Sequence, residues 1–418
     1  MKQQTSLRNE IIAGIIGYFT TVYIVVVNGS ILSEAGISLE TGMIATIMAS
    51  FVGTMMMGFF GKLPLILIPG MGINALFAYS IINNNDFTFQ EGLAVVLVAA
   101  LIFLVTAFTK IGVILKNAIP ESLTHAITVG LGFFLILIGL EKSGIVISGG
   151  STIVAIGDFT STPVIVGLLT LFIAIFLFVK NVPANFLITM VIGTILAAVF
   201  GLQQPEVEPV HVHVNELLFI PSFTAMGDFA FWLAVFPLAL ILIFENMGIL
   251  TGQLGMLKRQ DSYNKAYRIT AFSTLTSAFF GTSPTVSGAE NAAVIASGGK
   301  TGRAAITAGI LFLATIFIIP WISMVPNSAI SPILIIVGFL MAQNIKHLPL
   351  NDFADSIPAL LIVVMIPFTY SIGDGMAFGF IAYPIVKIAL GKQNELTKPL
   401  IIISSLFFIE FVLKITGI

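Results

Sequence analysis

The chain has no cysteine among its 418 residues, so disulfides and thiolate metal sites are excluded. Charge is scarce too: Asp, Glu, Lys and Arg together make up 9% of the residues, and the formal net charge of -2 comes with no basic run to attract nucleic acid. No nucleophile constellation, metal cluster or phosphate loop is legible, so the chain does not read as an enzyme, and no cofactor is implied. What it has in excess is apolar surface. Hydrophobic residues make up 57% and the mean hydropathy is +1.06, outside the range of soluble domains. The composition dictates an integral membrane protein.

Apolar stretches of about 17–22 residues, the length a helix needs to cross a bilayer, recur from Ile11 to Ile415. They fall at 10–28, 41–60, 64–82, 91–109, 120–140, 162–180, 183–201, 228–250, 266–281, 286–298, 302–322, 328–343, 355–371 and 374–390. The expectation is an all-α polytopic membrane protein, one transmembrane domain over 1–418, with about fourteen segments. A further stretch, 398–416, either crosses, lies in the interface or packs on the bundle. The first stretch lacks a small-residue cleavage pattern and reads as a retained helix.

Lys and Arg set the orientation. With a cytoplasmic N-terminus (Lys2, Arg8), the alternate loops carrying Lys62, Lys110, Lys116, Lys180, Lys258, Arg259, Lys300, Arg303, Lys346 and Lys392 all fall inside. Lys142 is the exception. The loop from Gln203 to Glu216 holds three Glu and two His without Lys or Arg, and falls outside. Glu206, Glu208, His211 and His213 there alternate with Val or Pro, which suits a short exposed strand better than a metal site.

Two segments depart from a plain apolar helix. The third reads Pro69-Gly70-Met71-Gly72-Ile73-Asn74-Ala75, and the tenth reads Pro284-Thr285-Val286-Ser287-Gly288-Ala289-Glu290-Asn291-Ala292. Pro removes a backbone donor and Gly relaxes the chain, so each is expected to run extended before a half-helix, a break tolerated where it lines a cavity. The offset between the two is seven segments, an odd number, so they enter from opposite faces: the pattern of an inverted repeat whose half-helix N-termini meet near the midplane.

Two carboxylates lie within these apolar surroundings, Glu245 after Phe244 and Glu290 after Ala289. A charge at such a depth costs roughly 2.5–3.5 kcal/mol even on gentle insertion scales, and it marks a substrate or ion pathway. Blander readings remain open for each. Glu290 could cap its own half-helix, Glu245 could reach toward water at the cytoplasmic end of its span, and Asn74 could serve a local helix start. Asp374, in Ser371-Ile372-Gly373-Asp374, reads as a turn or N-cap residue.

Carboxylates and an amide beside half-helix ends suit a planar nucleobase, whose ring N–H groups they accept and whose carbonyls amides can serve. A carboxylate in a dry site can also carry a proton, which offers a means of coupling. An inorganic anion would want cationic side chains, and the mid-membrane stretches hold none.

At these residues the chain resembles the AzgA-type purine permeases, within the nucleobase transporter group that also contains uracil and xanthine permeases. The resemblance runs over nearly the whole length. It includes Asn9-Glu10 and Val25-Val26-Val27-Asn28, the string Pro69 to Ala75 with Phe77-Ala78-Tyr79, Asn117-Ala118-Ile119-Pro120-Glu121-Ser122, and Thr369-Tyr370-Ser371-Ile372-Gly373-Asp374-Gly375. It implies two inverted seven-segment repeats arranged as a core (about 10–110 and 228–322) and a gate (about 116–201 and 328–416). It further implies proton-coupled import of a purine (guanine, hypoxanthine, adenine or xanthine) across the cell membrane. Asn74 and the acidic residues of segments 8 and 10 would stand at the site. Relatives form dimers, which admits a homodimer in membrane lipid.

The chain departs from that pattern around the carboxylates. Members usually carry Phe-Asp-Thr where this chain has Phe244-Glu245-Asn246, and Thr-Tyr-Ile-Glu-Ser where it has Ser287-Gly288-Ala289-Glu290-Asn291. The Ala-Glu-Asn triplet looks more like the uracil and xanthine branch. The expected ligands are Glu290 and Glu245, with Gly72, Ile73, Gly288 and Ala289 supplying backbone and Phe244 or Phe77 stacking on the base. Glu245 and Glu290 are the expected proton carriers, with sodium as the alternative coupling ion. Uracil or another pyrimidine is the alternative cargo, and a passive channel or an anion exchanger on the same fold the alternative activity.

Overall fold

The computed structural model describes residues 6–150, 152–202 and 218–416, so the loop with Glu206, Glu208, His211 and His213 lies outside the described residues. In lipid every backbone N–H and C=O has to be bonded within the protein, and a helix does this inside one segment. Apolar monotony therefore becomes helix. α1 (Leu7–Thr21) and α2 (Tyr23–Ser33) form the first crossing, and α3 (Leu39–Met56) the second. The third is broken: strand β1 (Leu67–Pro69) leads into α4 (Met71–Ala75), which continues as a π-type helix over Leu76–Ile82. α5 (Phe89–Phe108) starts on a capping box in which Thr88 and Glu91 satisfy each other's backbone. α6 (Ile111–Ala118) is a connector of 8 residues, too short to cross and so invisible to a search for spans.

α7 (Glu121–Lys142), a hairpin of β2 (Val146–Ser148) and β3 (Val154–Ile156), α8 (Thr162–Val179) and α9 (Asn185–Val199) complete the first half. The second half opens on α10 (Phe229–Leu257) and α11 (Tyr263–Phe279). Its broken segment is β4 (Thr285–Ser287) followed by α12 (Asn291–Ala296). Then come α13 (Gly302–Ala314), α14 (Ile319–Ile322), α15 (Asn327–Ala342), α16 (Phe353–Thr369), α17 (Ile372–Ala389) and α18 (Lys398–Thr416). Among the described residues nine helices are long and apolar enough to cross a membrane, and the shorter and broken segments fill the places between them.

Hydrogen bonds between distant loops check the alternation of faces. On the face that carries most of the Lys and Arg, Glu10 accepts from the Lys300 and Thr301 N–H groups at 3.1 and 3.2 Å, and Lys392 reaches Asp352 at 3.0 Å. On the opposite face Lys142 meets Glu34 at 2.6 Å, and Asn84 donates to the Tyr370 carbonyl at 2.8 Å. Each contact joins loops assigned to the same side. The same check places α18. At its start Thr397 donates to the Ala118 carbonyl at 2.9 Å on the basic face, and near its end Lys414 pairs with Asp374 on the other. The 398–416 stretch therefore runs from face to face, packed along α17. Asp374 itself sits in the first turn of α17, whose N-cap is Ser371.

The two broken segments cross at the centre. β1 and β4 pair antiparallel with Leu67 opposite Ser287, Ile68 opposite Val286 and Pro69 opposite Thr285, all buried. Antiparallel pairing is what entry from opposite faces requires. Around this cross, α1 packs on α13, α2 on α3, and α5 on α10 and α11, whereas α7 packs on α15 and α16, and α16 on α17. The α7–α15 crossing is close because both helices are bare there: a Cβ on Gly132 would sit 2.5 Å from the Gly338 carbonyl, and one on Gly338 would sit 2.5 Å from that of Gly132. Small residues let membrane helices approach to backbone contact.

Candidate functional site

The short β1–β4 ladder leaves backbone groups to be satisfied by side chains, and polar residues of segments 2, 8 and 10 do this. Asn291 accepts from the Ile66 N–H at 2.7 Å and donates to the Ile66 carbonyl at 3.0 Å, standing in for one more rung. Gln253 of α10 donates to the Gly288 carbonyl at 2.7 Å and accepts from the Ser287 hydroxyl at 2.6 Å. Thr54 bonds both the N–H and the carbonyl of Leu67, at 3.0 and 3.1 Å. The cross is thus fixed from three helices. A backbone braced in this way gives a binding site a rigid wall.

A cavity of about 440 Å³ lies against the cross. One wall is built from the β1–α4 turn (Ile68 to Gly72), the β4–α12 turn (Val286 to Glu290) and α10, which contributes Phe244, Glu245, Gly248 and Ile249. The other wall comes from α7 with Thr124, His125 and Thr128, and from the end of α15 with Val337, Leu340, Met341 and Asn344. No Lys or Arg lines it among the described residues. Beyond the cavity the opposite face is closed by Lys142 on Glu34 and by Ser80 and Asn84 on Tyr370.

Both carboxylates reach this cavity, in different states of engagement. Glu290 accepts a 2.5 Å hydrogen bond at Oε1 from the hydroxyl of Tyr23, a ring buried on α2 and packed against Phe186 of α9. Glu245 has no hydrogen-bond partner at its buried Oε2 among the described residues. It also stands elsewhere on its helix than expected. The span at 228–250 continues to Leu257, because Thr251, Gln253 and Leu254 keep the helix going to a left-handed Lys258, so Glu245 is near the middle of the 29 residues rather than at a cytoplasmic end.

Gly72, Phe244, Gly288, Ala289 and Glu290 line the cavity together with Glu245. Asn74, Ile73 and Phe77 do not. Asn74 is fully buried and accepts from the Ser283 hydroxyl, tying segment 3 to segment 10 behind the ladder. Ile73 is buried in the core, and Phe77 packs edge-on against Phe89 at 5.7 Å, which removes it as a stacking partner. The half-helix turns those three away because they lie on its far side from Gly72. The Gly288 N–H is occupied as well, donating to the Ile66 carbonyl at 3.3 Å. Sequence reasoning passed over Tyr23, His125 and Asn344. His125 did carry a signal, as an ionisable residue inside an apolar span, whereas Tyr23 sits in a run of Val and Ile that marks it as core.

The family model for permeases matches residues 8–378. The chain belongs to the permease family. This permease is a multi-pass membrane transporter, not an enzyme. The nucleobase transporter PlAzg2 of Paenibacillus larvae is 39% identical over 388 residues, covering 90% of this chain and 76% of that one. The guanine/hypoxanthine permease PbuO of Bacillus subtilis is 38% identical over 423 residues, covering 98% of each. Among solved structures, the transmembrane domain of a cyanobacterium bicarbonate transporter, BicA, matches with a TM-score of 0.69 at 16% identity, over 90% of this chain and 98% of that one. At that identity the likeness is one of fold, and it gives this permease the inverted-repeat architecture that the crossed strands display.

Proposed function

We propose that this permease imports a purine base across the cell membrane, taking it up in the cavity between the β1–β4 cross and the α7–α15 wall. The observation that carries this reading is a pair of carboxylates facing one cavity without a cation beside them. Such a site matches a neutral ligand with N–H donors and offers nothing to balance an anion. The purine and nucleobase cargoes named for PbuO and PlAzg2 agree with it.

Glu290, with one oxygen held by Tyr23, accepts a ring N–H at the other. Glu245 accepts a second N–H or carries the coupled proton, since its Oε2 has no hydrogen-bond partner among the described residues. The first turn of α4 after Gly70, whose opening amides lack intrahelical acceptors, serves a base carbonyl. Phe244 gives the ring an apolar face. The moving parts are a core of about 10–110 with 228–322 and a gate of about 116–201 with 328–416. The packing preferences support this division, as does a cavity walled by one set on each side. Alternating access rocks one set against the other. With the basic face cytoplasmic, the cavity's reach to the starting turns of α7 and the end of α15 corresponds to an inward-open state. Uptake of labelled hypoxanthine, guanine and uracil by cells lacking their own permeases, with and without a protonophore, tests both cargo and coupling. Saturable purine uptake that collapses with the protonophore supports the proposal, and unsaturable uptake supports a passive channel.

A further inference from the structure

The carboxylate wall can satisfy a base's donors, but its side chains offer almost nothing to the base's acceptors. Ser287 already donates to Gln253. On the facing wall the polar side chains are Thr124, His125, Thr128 and Asn344. Two of them are committed within their own helices, Thr128 to the Thr124 carbonyl at 3.3 Å and the Asn344 amide to the Met341 carbonyl at 3.0 Å. His125 is half-buried and has no hydrogen bond among the described residues. Its ring lies 5.1 Å from that of His347, tilted by 30°. A ring nitrogen that can donate therefore stands free on the wall opposite the carboxylates, carried by α7, which is locked to α15 through the Gly132–Gly338 contact.

We infer that His125 selects for two-ring bases by donating to the unprotonated nitrogen of the imidazole ring of a purine whose six-membered ring is held by Glu290 and Glu245. This rests on the nucleobase reading above. The physical reason is reach. A base anchored at its six-membered ring by one wall extends its five-membered ring toward the other, and a pyrimidine has no ring there to present. Gly288 and Ala289 leave the near wall without bulky side chains, so the discriminating contact falls to the far one.

A binding cycle on the purified full-length protein tests this, using hypoxanthine and 7-deazahypoxanthine, which lacks that one acceptor, against the parent, His125→Ala and His125→Gln. The parent is expected to bind hypoxanthine about tenfold more tightly than the deaza compound, the scale of one hydrogen bond. His125→Ala should bind both compounds alike, at the weaker value, and His125→Gln should regain part of the preference because its amide can donate. His125→Ala that keeps the parent's preference overturns the inference while leaving the transporter reading intact, as does a deaza penalty of the same size in every variant. A parent that binds neither compound overturns the nucleobase reading and the inference with it. If His125→Ala does not fold, His125→Gln decides: the parent's full preference kept in His125→Gln counts against the role, and a preference reduced or lost while the deaza compound binds normally supports it.

Discussion

The hydroxyl of Tyr23 donates a 2.5 Å hydrogen bond to Oε1 of Glu290, joining residues 267 positions apart. The carboxylate cannot swing freely, because one of its oxygens is fixed by α2. Among the described residues Glu245 has no such tether on its Oε2. The two acidic residues are therefore unequal, one tethered at an oxygen and one with an oxygen that no described residue bonds.

Tyr23→Phe keeps the ring's packing on Phe186 and deletes only the donor. Hydrogen bonds to charged groups contribute about 1.5–3 kcal/mol, so binding of the preferred base should weaken by about tenfold or more. Tyr18→Phe removes a comparable hydroxyl, which meets Thr315 at 2.8 Å away from the cavity lining, and should leave affinity unchanged. Equal affinities for parent and Tyr23→Phe in a direct binding assay would show that Glu290 needs no positioning.

The Lys142–Glu34 pair and the Asn84–Tyr370 bond close the face away from the cavity mouth. Breaking both with Lys142→Met and Asn84→Ala should shift the population toward the state open on that face. The absence of native cysteine makes a single reporter clean. Gly248→Cys suits, because a side chain there meets nothing within 4 Å and the residue lines the cavity. Its labelling by a maleimide added from the basic face should slow in the double variant, and an unchanged rate would show that these contacts do not hold the closure.

Gly132→Val forces a branched side chain into the Gly338 carbonyl across the α7–α15 contact. Overpacking of this kind costs about 1–3 kcal/mol, so a fall of several degrees in thermal unfolding is expected. Gly150→Val, where a Cβ meets nothing within 4 Å, should be neutral by the same measurement.

Lys392, 3.0 Å from its carboxylate, and the capped Ala354 N–H hold Asp352 below the usual carboxylate range. A depressed folded value means that the contribution is present above the unfolded value and is lost as pH falls through the folded one. Lys392→Gln should move the Asp352 titration upward toward the ordinary carboxylate value in a side-chain NMR measurement. An unmoved titration would remove Lys392 as the cause.

Most of the path through the membrane was legible because lipid enforces it: the Pro and Gly strings at Pro69 and Pro284 became strands followed by half-helices, and the Lys and Arg pattern sorted the loops by face. Individual side-chain directions were not. Which side of a half-helix Asn74 and Phe77 occupy depends on how the two crossed strands are rotated, and no local residue fixes that. The facing wall was hidden for a different reason, since Thr124, His125 and Asn344 come from helices far apart in sequence that only the Gly132–Gly338 packing brings beside the cross. Lys142, the exception to the charge pattern, has its explanation in Glu34, a contact that only folding creates.

A base held by Glu290 in the cavity beside the β1–β4 cross should lose its affinity when that carboxylate is neutralised. Equilibrium binding of labelled hypoxanthine to the purified parent and to Glu290→Gln, with Glu245→Gln alongside, tests it most directly. Glu290→Gln swaps an oxygen acceptor for a donor at nearly constant volume, so a loss of about a hundredfold is predicted, the scale of an unmade hydrogen bond to a charged group in a dry site. Full affinity in Glu290→Gln would show that this carboxylate does not hold the base.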